Sequence, residues 1–206
     1  MKKTKAVILD VALELFNNQG LSKVTLRTIA NKMGISQGNL NYHFKKREDI
    51  IEALYFQLVK NIDENFISEI QPKNSLNALF SISNSIMKSF YEYRFIFLDF
   101  VQVMRENDKI KAHYLQLMKE REGQFMKLID LLIEGGFIRL EMIKNEYLNL
   151  YKRVQVVGDF WISSAITASN YVTEETILGY TEIMNQTIFP YLTEKGRQEY
   201  ELFVFD

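Results

Sequence analysis

The spacing of apolar side chains predicts that this chain is a succession of amphipathic helices. Near its N-terminus one short helix is predicted from apolar residues that fall three or four positions apart, at Leu26, Ile29, Ala30 and Met33. The hydroxyl of Thr25 is suited to cap the first turn of this helix, and Gly34 is suited to the left-handed backbone that ends it. The segment is therefore expected to form a capped helix with one apolar face.

A second short helix is predicted to follow almost at once, with Ser36 as its N-cap. Leu40 and Phe44 lie four residues apart and are expected to pack on the first helix. The remaining positions of this second helix are polar, aromatic or glycine: Gln37, Gly38, Asn39, Asn41, Tyr42 and His43. Two short helices around a tight turn are typical of a helix-turn-helix, whose second helix enters DNA.

The rest of the chain is also predicted to be helical. An opening helix is expected over about residues 4–18, and a long helix over about 48–70 is expected to stop near Pro72. Further helices are predicted over about 75–91, 95–106, 109–134, 145–169 and 174–191, with a short one after 193. At about 1.5 Å per residue, the helix over 48–70 makes a rod of roughly 35 Å that can act as a lever between the two halves of the chain.

Composition favours an all-α protein large enough to bury a core. Of the 206 residues 47% are hydrophobic, and only two prolines and nine glycines are present, which disfavours a turn-rich β protein. The lack of cysteine excludes disulfides and thiolate sites, and two histidines are too few for a histidine-rich metal centre, so no cofactor is expected. The sequence has no phosphate-binding glycine loop and no recognisable nucleophile–base pair, so an enzyme is the least favoured function.

Charge is unevenly distributed, although the net charge is only −1. Residues 1–50 carry nine Lys or Arg against four Asp or Glu, a net +5, and the remainder carries −6. The basic part is expected to meet DNA, while an acidic body orients the approach by repelling phosphate. Asp10 and Glu14 interrupt the first apolar stretch, and no later stretch is apolar enough to span a bilayer, so a cytoplasmic protein without a membrane partner is expected.

Residues 8–54 contain a set of positions in register across three predicted helices: Leu15, Phe16, Gly20, Thr25, Arg27, Ile29, Ala30, Gly34, Ile35, Ser36, Gly38, Leu40, His43, Phe44 and Glu48. On these positions the segment resembles the DNA-binding region of the tetracycline-repressor (TetR) family of bacterial transcriptional regulators. The chain departs from the usual pattern at Asn41, where the family has an aromatic residue, and at Arg47, where it has a lysine. The resemblance implies an all-α protein with an N-terminal three-helix helix-turn-helix domain, here residues 1–47, and a larger C-terminal ligand-binding and dimerisation domain, here residues 48–206.

The DNA-binding residues are expected on and around the second helix of the motif. Gln37, Asn39 and Asn41 are candidates for base contacts, because amide side chains can bond adenine in the major groove. Gly38 is unfavourable inside a helix, and close approach to a phosphate backbone would explain it. The other candidates, expected mainly near phosphates, are Thr25, Arg27, Ser36, Tyr42, His43, Lys46 and Arg47. The alternative is a solvated polar helix surface.

The resemblance also implies a cavity in the body, because members of the family commonly bind a small effector there. Aromatic and polar residues in an apolar context are the candidates for its lining: Phe90, Phe97, Phe100, Gln102, Met104, His113, Met118, Asp159 and Trp161. Ordinary core packing is the alternative for each of them, since aromatic residues at helical spacing most often belong to a core.

A dimer interface is expected on the two long C-terminal helices. Their apolar and small residues recur in steps of three and four, at Leu148, Tyr151, Gln155, Gly158, Ile162 and Ala165, and at Ile177, Tyr180, Met184 and Ile188. The resemblance implies a symmetric four-helix interface built on this seam, and packing within one chain is the alternative.

The sequence thus predicts a homodimeric, ligand-responsive transcriptional regulator, with repression favoured over activation. Its expected partners are a palindromic double-stranded DNA operator and an unidentified small-molecule effector. The main alternative is an architectural or protein-recruiting DNA-binding factor with a solid body. A cavity in the body distinguishes the two hypotheses.

Overall fold

The computed structural model describes residues 2–69, 76–169 and 171–204. Within these ranges the regular secondary structure is helical apart from an isolated β-bridge between Ile138 and Leu192, which confirms the all-α class. The first elements are α1 (Lys2–Gln19), a 3₁₀ turn (Leu21–Lys23), α2 (Leu26–Met33), α3 (Gln37–His43) and α4 (Arg47–Glu69). The body continues with α5 (Leu76–Glu92), α6 (Arg94–Leu98), α7 (Phe100–Glu106), α8 (Asp108–Glu134), α9 (Glu146–Ser169), α10 (Glu174–Gln186), a 3₁₀ turn (Phe189–Tyr191) and α11 (Glu194–Val204). None of the described helices has the length and apolar character needed to cross a bilayer.

Local hydrogen bonds build the turn between α2 and α3, as the sequence predicts. The Thr25 hydroxyl accepts a bond from the Thr28 N–H at 3.2 Å, and the Thr28 hydroxyl oxygen accepts one from the Thr25 N–H at 2.8 Å. Gly34 has a φ of 67°, a left-handed conformation that glycine adopts without steric cost. The Ser36 hydroxyl accepts from the Asn39 N–H at 3.2 Å. These contacts set where each helix begins and ends, and so fix the direction of α3.

The body differs from the prediction in two places. The helix predicted over 95–106 is divided at Asp99 into α6 and α7. Residues 95–97 are consecutive and buried, so α6 runs through the interior, whereas α7 exposes most of its side chains, a change that one straight helix cannot make. The helix predicted over 174–191 ends at Gln186, and Pro190, which lacks an N–H, lies in the 3₁₀ turn beyond it. The predicted stop at Pro72 lies outside the described residues.

Two apolar clusters form the core. The larger one runs from the N-terminal helices into the body and contains Ile8, Phe16 and Leu40 together with Phe95 and Trp161. The smaller one lies in the far part of the body and consists of Leu76, Phe80, Ile129, Leu132, Phe137, Ile138, Tyr147, Leu150, Ile188, Tyr191, Leu192 and Tyr200. Because the larger cluster crosses from α1 to α6 and α9, α1–α3 are packed directly on the body.

Specific contacts reinforce the junction between α1 and the body. The Phe16 and Phe95 rings stack with 4.9 Å between their centroids. The side chain of Asn17 accepts a bond from the Phe95 N–H at 3.1 Å and donates one to the Glu92 carbonyl at 2.7 Å. A shift of α6 must therefore carry α1 with it or break these contacts.

Candidate functional site: an exposed helix and an internal cavity

The outward face of α3 is exposed and rich in hydrogen-bonding groups. Tyr42 is 72% exposed, which is unusual for so large an aromatic side chain. Most other candidates on this face are also exposed, namely Ser36, Gln37, Gly38, Asn39 and Asn41, and His43 is half-buried. Leu40 and Phe44 anchor the opposite face in the core. The helix therefore presents a polar surface to solvent from a fixed position.

No packing contact inside the chain requires glycine at position 38. A Cβ built on Gly38 would meet only the Ser36 hydroxyl oxygen, at 3.9 Å, which is ordinary van der Waals contact. A glycine in a helix costs about 1 kcal/mol relative to alanine. The open space in front of Gly38 is thus the remaining structural reason for it, and it suits the close approach of a partner.

The candidates that flank α3 have different surroundings. Thr25, Arg27 and Lys46 are exposed, and the backbone N–H of Lys46 donates to the Asp49 carboxylate at 3.0 Å. This bond holds the start of α4 and leaves the Lys46 side chain in solvent.

Arg47, in contrast, is engaged within the chain. Its guanidinium donates to the Leu21 carbonyl at 3.1 Å and lies 3.3 Å from the Glu48 carboxylate and 3.9 Å from that of Glu106. As the first residue of α4, Arg47 lies where the N-terminal helices meet α7, and only 24% of its side chain is exposed. The structure therefore gives Arg47 a bracing position within the chain, and its predicted phosphate contact stays a prediction.

The body contains a partly open cavity of about 260 Å³. Every helix from α4 to α10 contributes to its wall, which is mainly apolar. The part of the wall on α4 is made by Tyr55, Leu58, Val59 and Ile62. Since α4 begins four residues after α3 ends, one helix both lines the cavity and supports the exposed helix.

Five of the nine predicted effector-site residues lie in this wall: Phe90, Phe97, Phe100, Met118 and Asp159. Three of them form a run of aromatic rings, with 4.2 Å between the centroids of Phe90 and Phe97 and 6.4 Å between those of Phe97 and Phe100. The Tyr114 ring continues this run, 5.2 Å from Phe100 in an edge-to-face arrangement.

Two predicted residues belong to the core rather than to the cavity wall. Trp161 is 2% exposed and packs on Tyr180 with 5.3 Å between ring centroids. It lies two positions from Asp159, which is about 200° around α9, so the two side chains leave the helix in nearly opposite directions. Met104 packs on the larger apolar cluster.

The other two predicted effector-site residues, Gln102 and His113, also lie outside the cavity wall. Gln102 is exposed and donates to Glu106 at 2.9 Å, because it lies on the solvent side of α7. His113 faces α4, where its Nδ1 is 3.0 Å from the Tyr55 hydroxyl and its ring meets the edge of Phe56 at 4.9 Å. His113 thus joins α8 to the helix that supports α3.

A buried carboxyl group marks one side of the cavity. Asp159 is 8% exposed and accepts a hydrogen bond from the Tyr114 hydroxyl at 2.5 Å, and the Gln155 amide donates to the same hydroxyl at 3.0 Å. Burial raises the pKa of Asp159 to about 6, although hydrogen bonds with Tyr114 and Gln155 oppose the rise. Burial also raises the pKa of Tyr114, so its hydroxyl remains the donor. At neutral pH the wall therefore carries an anionic group.

The predicted dimer seam faces the interior of its own chain. Ile162, Ala165 and Ile177 are 0%, 2% and 7% exposed. Other predicted members line the cavity, namely Tyr151, Gln155, Gly158, Met184 and Ile188, and Leu148 and Tyr180 are half-buried. The spacing identified the apolar side of each helix but not what covers it. Packing within one chain accounts for the burial of Ile162, Ala165 and Ile177, while the predicted dimer contact stays a prediction.

The opposite side of the same two helices carries large apolar side chains in solvent. Val156 and Phe160 on α9 are 58% and 42% exposed, and Leu178 and Ile183 on α10 are 52% and 50% exposed. We call these four residues the outer apolar face. Because α9 and α10 are in contact, the outer apolar face is a surface suited to a protein partner.

Sequence reasoning missed most of the cavity wall on α4 and α5. Tyr55 and Leu58 follow ordinary helical spacing, and a single sequence does not distinguish a cavity wall from a filled core. Ser83 on α5 gave no signal of its own, because it lies in a run of small polar residues with Ser81, Asn84 and Ser85. Its hydroxyl is buried beside the cavity without a hydrogen-bond partner among the described residues.

Both halves of the chain match models of known protein families. The family described as "Bacterial regulatory proteins, tetR family" matches residues 8–54, and the family described as "Bacterial transcriptional repressor" matches residues 57–200. The transcriptional regulator AcrR of Shigella flexneri is 38% identical over 63 residues, which are 31% of this chain and 29% of that protein. The chain spans only 29% to 58% of the lengths of the first curated regulators that it matches.

Solved structures share the fold over nearly the whole length. A TetR-family regulator from Marinobacter aquaeolei superposes with a TM-score of 0.81 at 24% identity, over 97% of this chain and 96% of that one. A transcriptional regulator from Saccharomonospora viridis, solved in complex with choline, superposes with a TM-score of 0.74 at 17% identity, over 94% of this chain and all (100%) of the other.

Proposed function

The chain belongs to the TetR family of bacterial transcriptional regulators, and on that premise we propose that it is a ligand-responsive repressor acting in the cytoplasm. In this proposal a homodimer binds a palindromic operator and leaves it when a small molecule enters the cavity. Residues 1–47 read DNA, and residues 48–206 bind the effector and the second subunit. Regulators of this family are not enzymes, which removes the enzyme alternative.

The observation that carries the proposal is the double role of α4. Its residues Tyr55, Leu58 and Val59 line the cavity, and its first residue, Arg47, is bonded to the Leu21 carbonyl among the N-terminal helices. A ligand that pushes on this wall tilts a rod of roughly 35 Å, and a tilt of a few degrees moves its end by about a few ångströms. Two recognition helices that must enter grooves about 34 Å apart then no longer fit together. A solid-bodied architectural factor has no use for such a cavity.

The DNA contacts are proposed on the exposed face of α3. Gln37, Asn39 and Asn41 are placed at base edges, while Tyr42 and His43 hold phosphates. Thr25, Arg27, Ser36 and Lys46 add contacts from the flanking turns, and Gly38 allows the backbone of α3 to approach the duplex. Arg47 supports this surface from behind.

The second subunit is proposed to cover the outer apolar face. Four large apolar residues exposed on two adjacent helices are costly in a monomer, and a two-fold axis would pack α9 and α10 against their copies as a four-helix interface. Val156→Asp would place a charge in this contact and is expected to give monomers in sedimentation experiments. Leu115→Asp, at an exposed leucine of α8, is the matched control and should remain dimeric. Monomeric wild-type protein at micromolar concentration would contradict the proposal.

DNA reading is tested by selecting bound sequences from a pool of random duplexes. We expect enrichment of a two-fold symmetric sequence with half-sites about one helical turn, or a multiple of it, apart. Gln37→Ala should change the enriched bases, whereas Gln116→Ala, an exposed position on α8, should leave them unchanged. Recovery of the starting pool without enrichment would contradict sequence-specific binding.

A further inference from the structure

The cavity wall contains one acidic and one basic side chain, Asp159 and Arg121, among the described residues. The two differ in their partners. Arg121 forms an ion pair with Asp63 of α4 and a hydrogen bond with Gln124 at 2.8 Å, so its charge is balanced inside the protein. Asp159 takes part in none of the ion pairs found within the described ranges. The negative charge is therefore the one that the wall leaves without a counter-charge.

The groups that hold Asp159 are neutral. Tyr114 donates to its carboxylate, and Gln155 donates to Tyr114. A buried carboxylate held by neutral donors keeps most of its desolvation cost, because dipoles replace only part of the lost hydration. The raised pKa of Asp159 reflects the same cost. A positively charged group brought into the cavity would offset this desolvation cost.

The rings beside Asp159 favour the same kind of ligand. Tyr114 touches the carboxylate, and the run of rings continues from Tyr114 to Phe100, Phe97 and Phe90. The faces of aromatic rings carry partial negative charge, so they attract cations while offering apolar surface to the rest of a ligand. Carboxylate and rings together thus form a site for a positive charge attached to an apolar body.

We propose that the effector of this regulator is an amphipathic organic cation, with an ammonium or comparable group beside Asp159 and an apolar chain or ring system along the aromatic run. The regulatory part of this statement rests on the proposed function, whereas the binding part does not. An anionic ligand would be repelled by the uncompensated carboxylate of Asp159. The basic side chain that could bind such a ligand, Arg121, is already paired with Asp63. A neutral ligand would leave Asp159 buried and unbalanced.

The test compares three molecules with the same apolar chain and different heads: decyltrimethylammonium, decan-1-ol and decanoate, each below its micelle concentration. Binding to the full-length protein is measured by isothermal titration calorimetry. We expect the cation to bind at least about tenfold more tightly than the alcohol, as a charged contact in a dry site provides, and the anion to bind most weakly. This comparison needs no variant.

The variant Asp159→Asn then tests whether the preference for the cation comes from the carboxylate of Asp159. The variant keeps the size of the side chain and is expected to lose about tenfold in affinity for the cation while its affinity for decan-1-ol stays the same. Asp130→Asn makes the same change at an exposed position on α8 and should bind all three molecules like the wild type. Thermal unfolding of the free variants checks that each is folded.

The outcomes separate this inference from the proposed function. Equal or tighter binding of the alcohol or the anion, or no binding of the cation, overturns the inference even if a selected operator is bound. A preference for the cation that survives in Asp159→Asn also overturns it. Cation binding by a protein that selects no duplex would retain the ligand class and refute the proposed repressor.

Discussion

Removing the buried charge of Asp159 should stabilise the free protein, and the gain should depend on pH. Asp159→Asn keeps the shape of the side chain and leaves a group that can still accept the Tyr114 hydrogen bond. Burial raises the pKa of Asp159 from 3.8 to about 6, a shift of roughly two units. At about 1.4 kcal/mol per unit, the ionised carboxylate costs the folded state about 3 kcal/mol at neutral pH.

The direction in which stability changes with pH follows from whether the folded or the unfolded state holds the proton of Asp159. Between the ordinary and the raised pKa, folded Asp159 keeps its proton while the unfolded chain has lost it, so stability falls as pH rises through this range. About 2 kcal/mol of the change lies between about pH 4.5 and about pH 7.5, and the curve is flat above that window. Asparagine does not titrate. The free energy of unfolding of Asp159→Asn, relative to that of the wild type, should therefore rise by this amount as the pH increases through this window.

Urea unfolding at several pH values measures the difference between the two proteins. Protein concentration is kept constant, because dimerisation would otherwise contribute. Taking the difference cancels the titration of every other group that the two proteins share. Asp130→Asn, whose carboxylate is exposed, is the matched control and should change the free energy of unfolding much less than Asp159→Asn. A constant difference for Asp159→Asn, or one that decreases with pH, would refute the assignment of a buried, uncompensated charge.

Three further predictions concern the N-terminal domain, residues 1–47, and its coupling to the cavity. Tyr42→Ala should weaken binding to operator and scrambled duplexes by the same factor in anisotropy titrations, whereas Gln37→Ala should reduce the difference between them; equal effects of both variants on both duplexes would contradict the division between phosphate and base contacts. Thr25→Ala removes the cap of α2 and should lower the free energy of unfolding by about 1 kcal/mol in urea, and an unchanged midpoint would show that the capping bonds contribute nothing. Tyr55→Phe removes the bond to His113 and should leave operator affinity intact while reducing its response to a bound effector, so an unchanged response would exclude this bond from the coupling.

The N-terminal domain could be predicted from sequence because the contacts that begin and end its helices act over short distances along the chain. Thr25 and Ser36 each bond a backbone N–H three residues ahead, and Gly34 ends α2 through its own backbone conformation. Such effects are complete within a few residues, so one sequence contains all the information. Arg47 is the exception, because its partners Leu21 and Glu106 lie far away in the chain.

The body could be predicted less completely because its contacts depend on what faces each helix. The stripe through Gly158 and Ile162 was correctly identified as an apolar face, but the pattern carries no information about whether the covering surface belongs to the same chain. Asp159 was found because a carboxyl group in an apolar helix is conspicuous. Trp161, two residues further on, leaves the helix on the other side, which only its packing on Tyr180 reveals.

Helix α9 uses both of its sides, with Gly158 and Asp159 toward the cavity and Val156 and Phe160 toward solvent. Inserting or deleting a single residue in it would rotate everything beyond by about 100° and shift it by about 1.5 Å, exchanging inward and outward positions together. Descendants of this gene should accordingly vary in residues 146–169 by substitution alone. Changes in chain length should collect in the exposed connection over 140–144, beyond the β-bridge at Ile138.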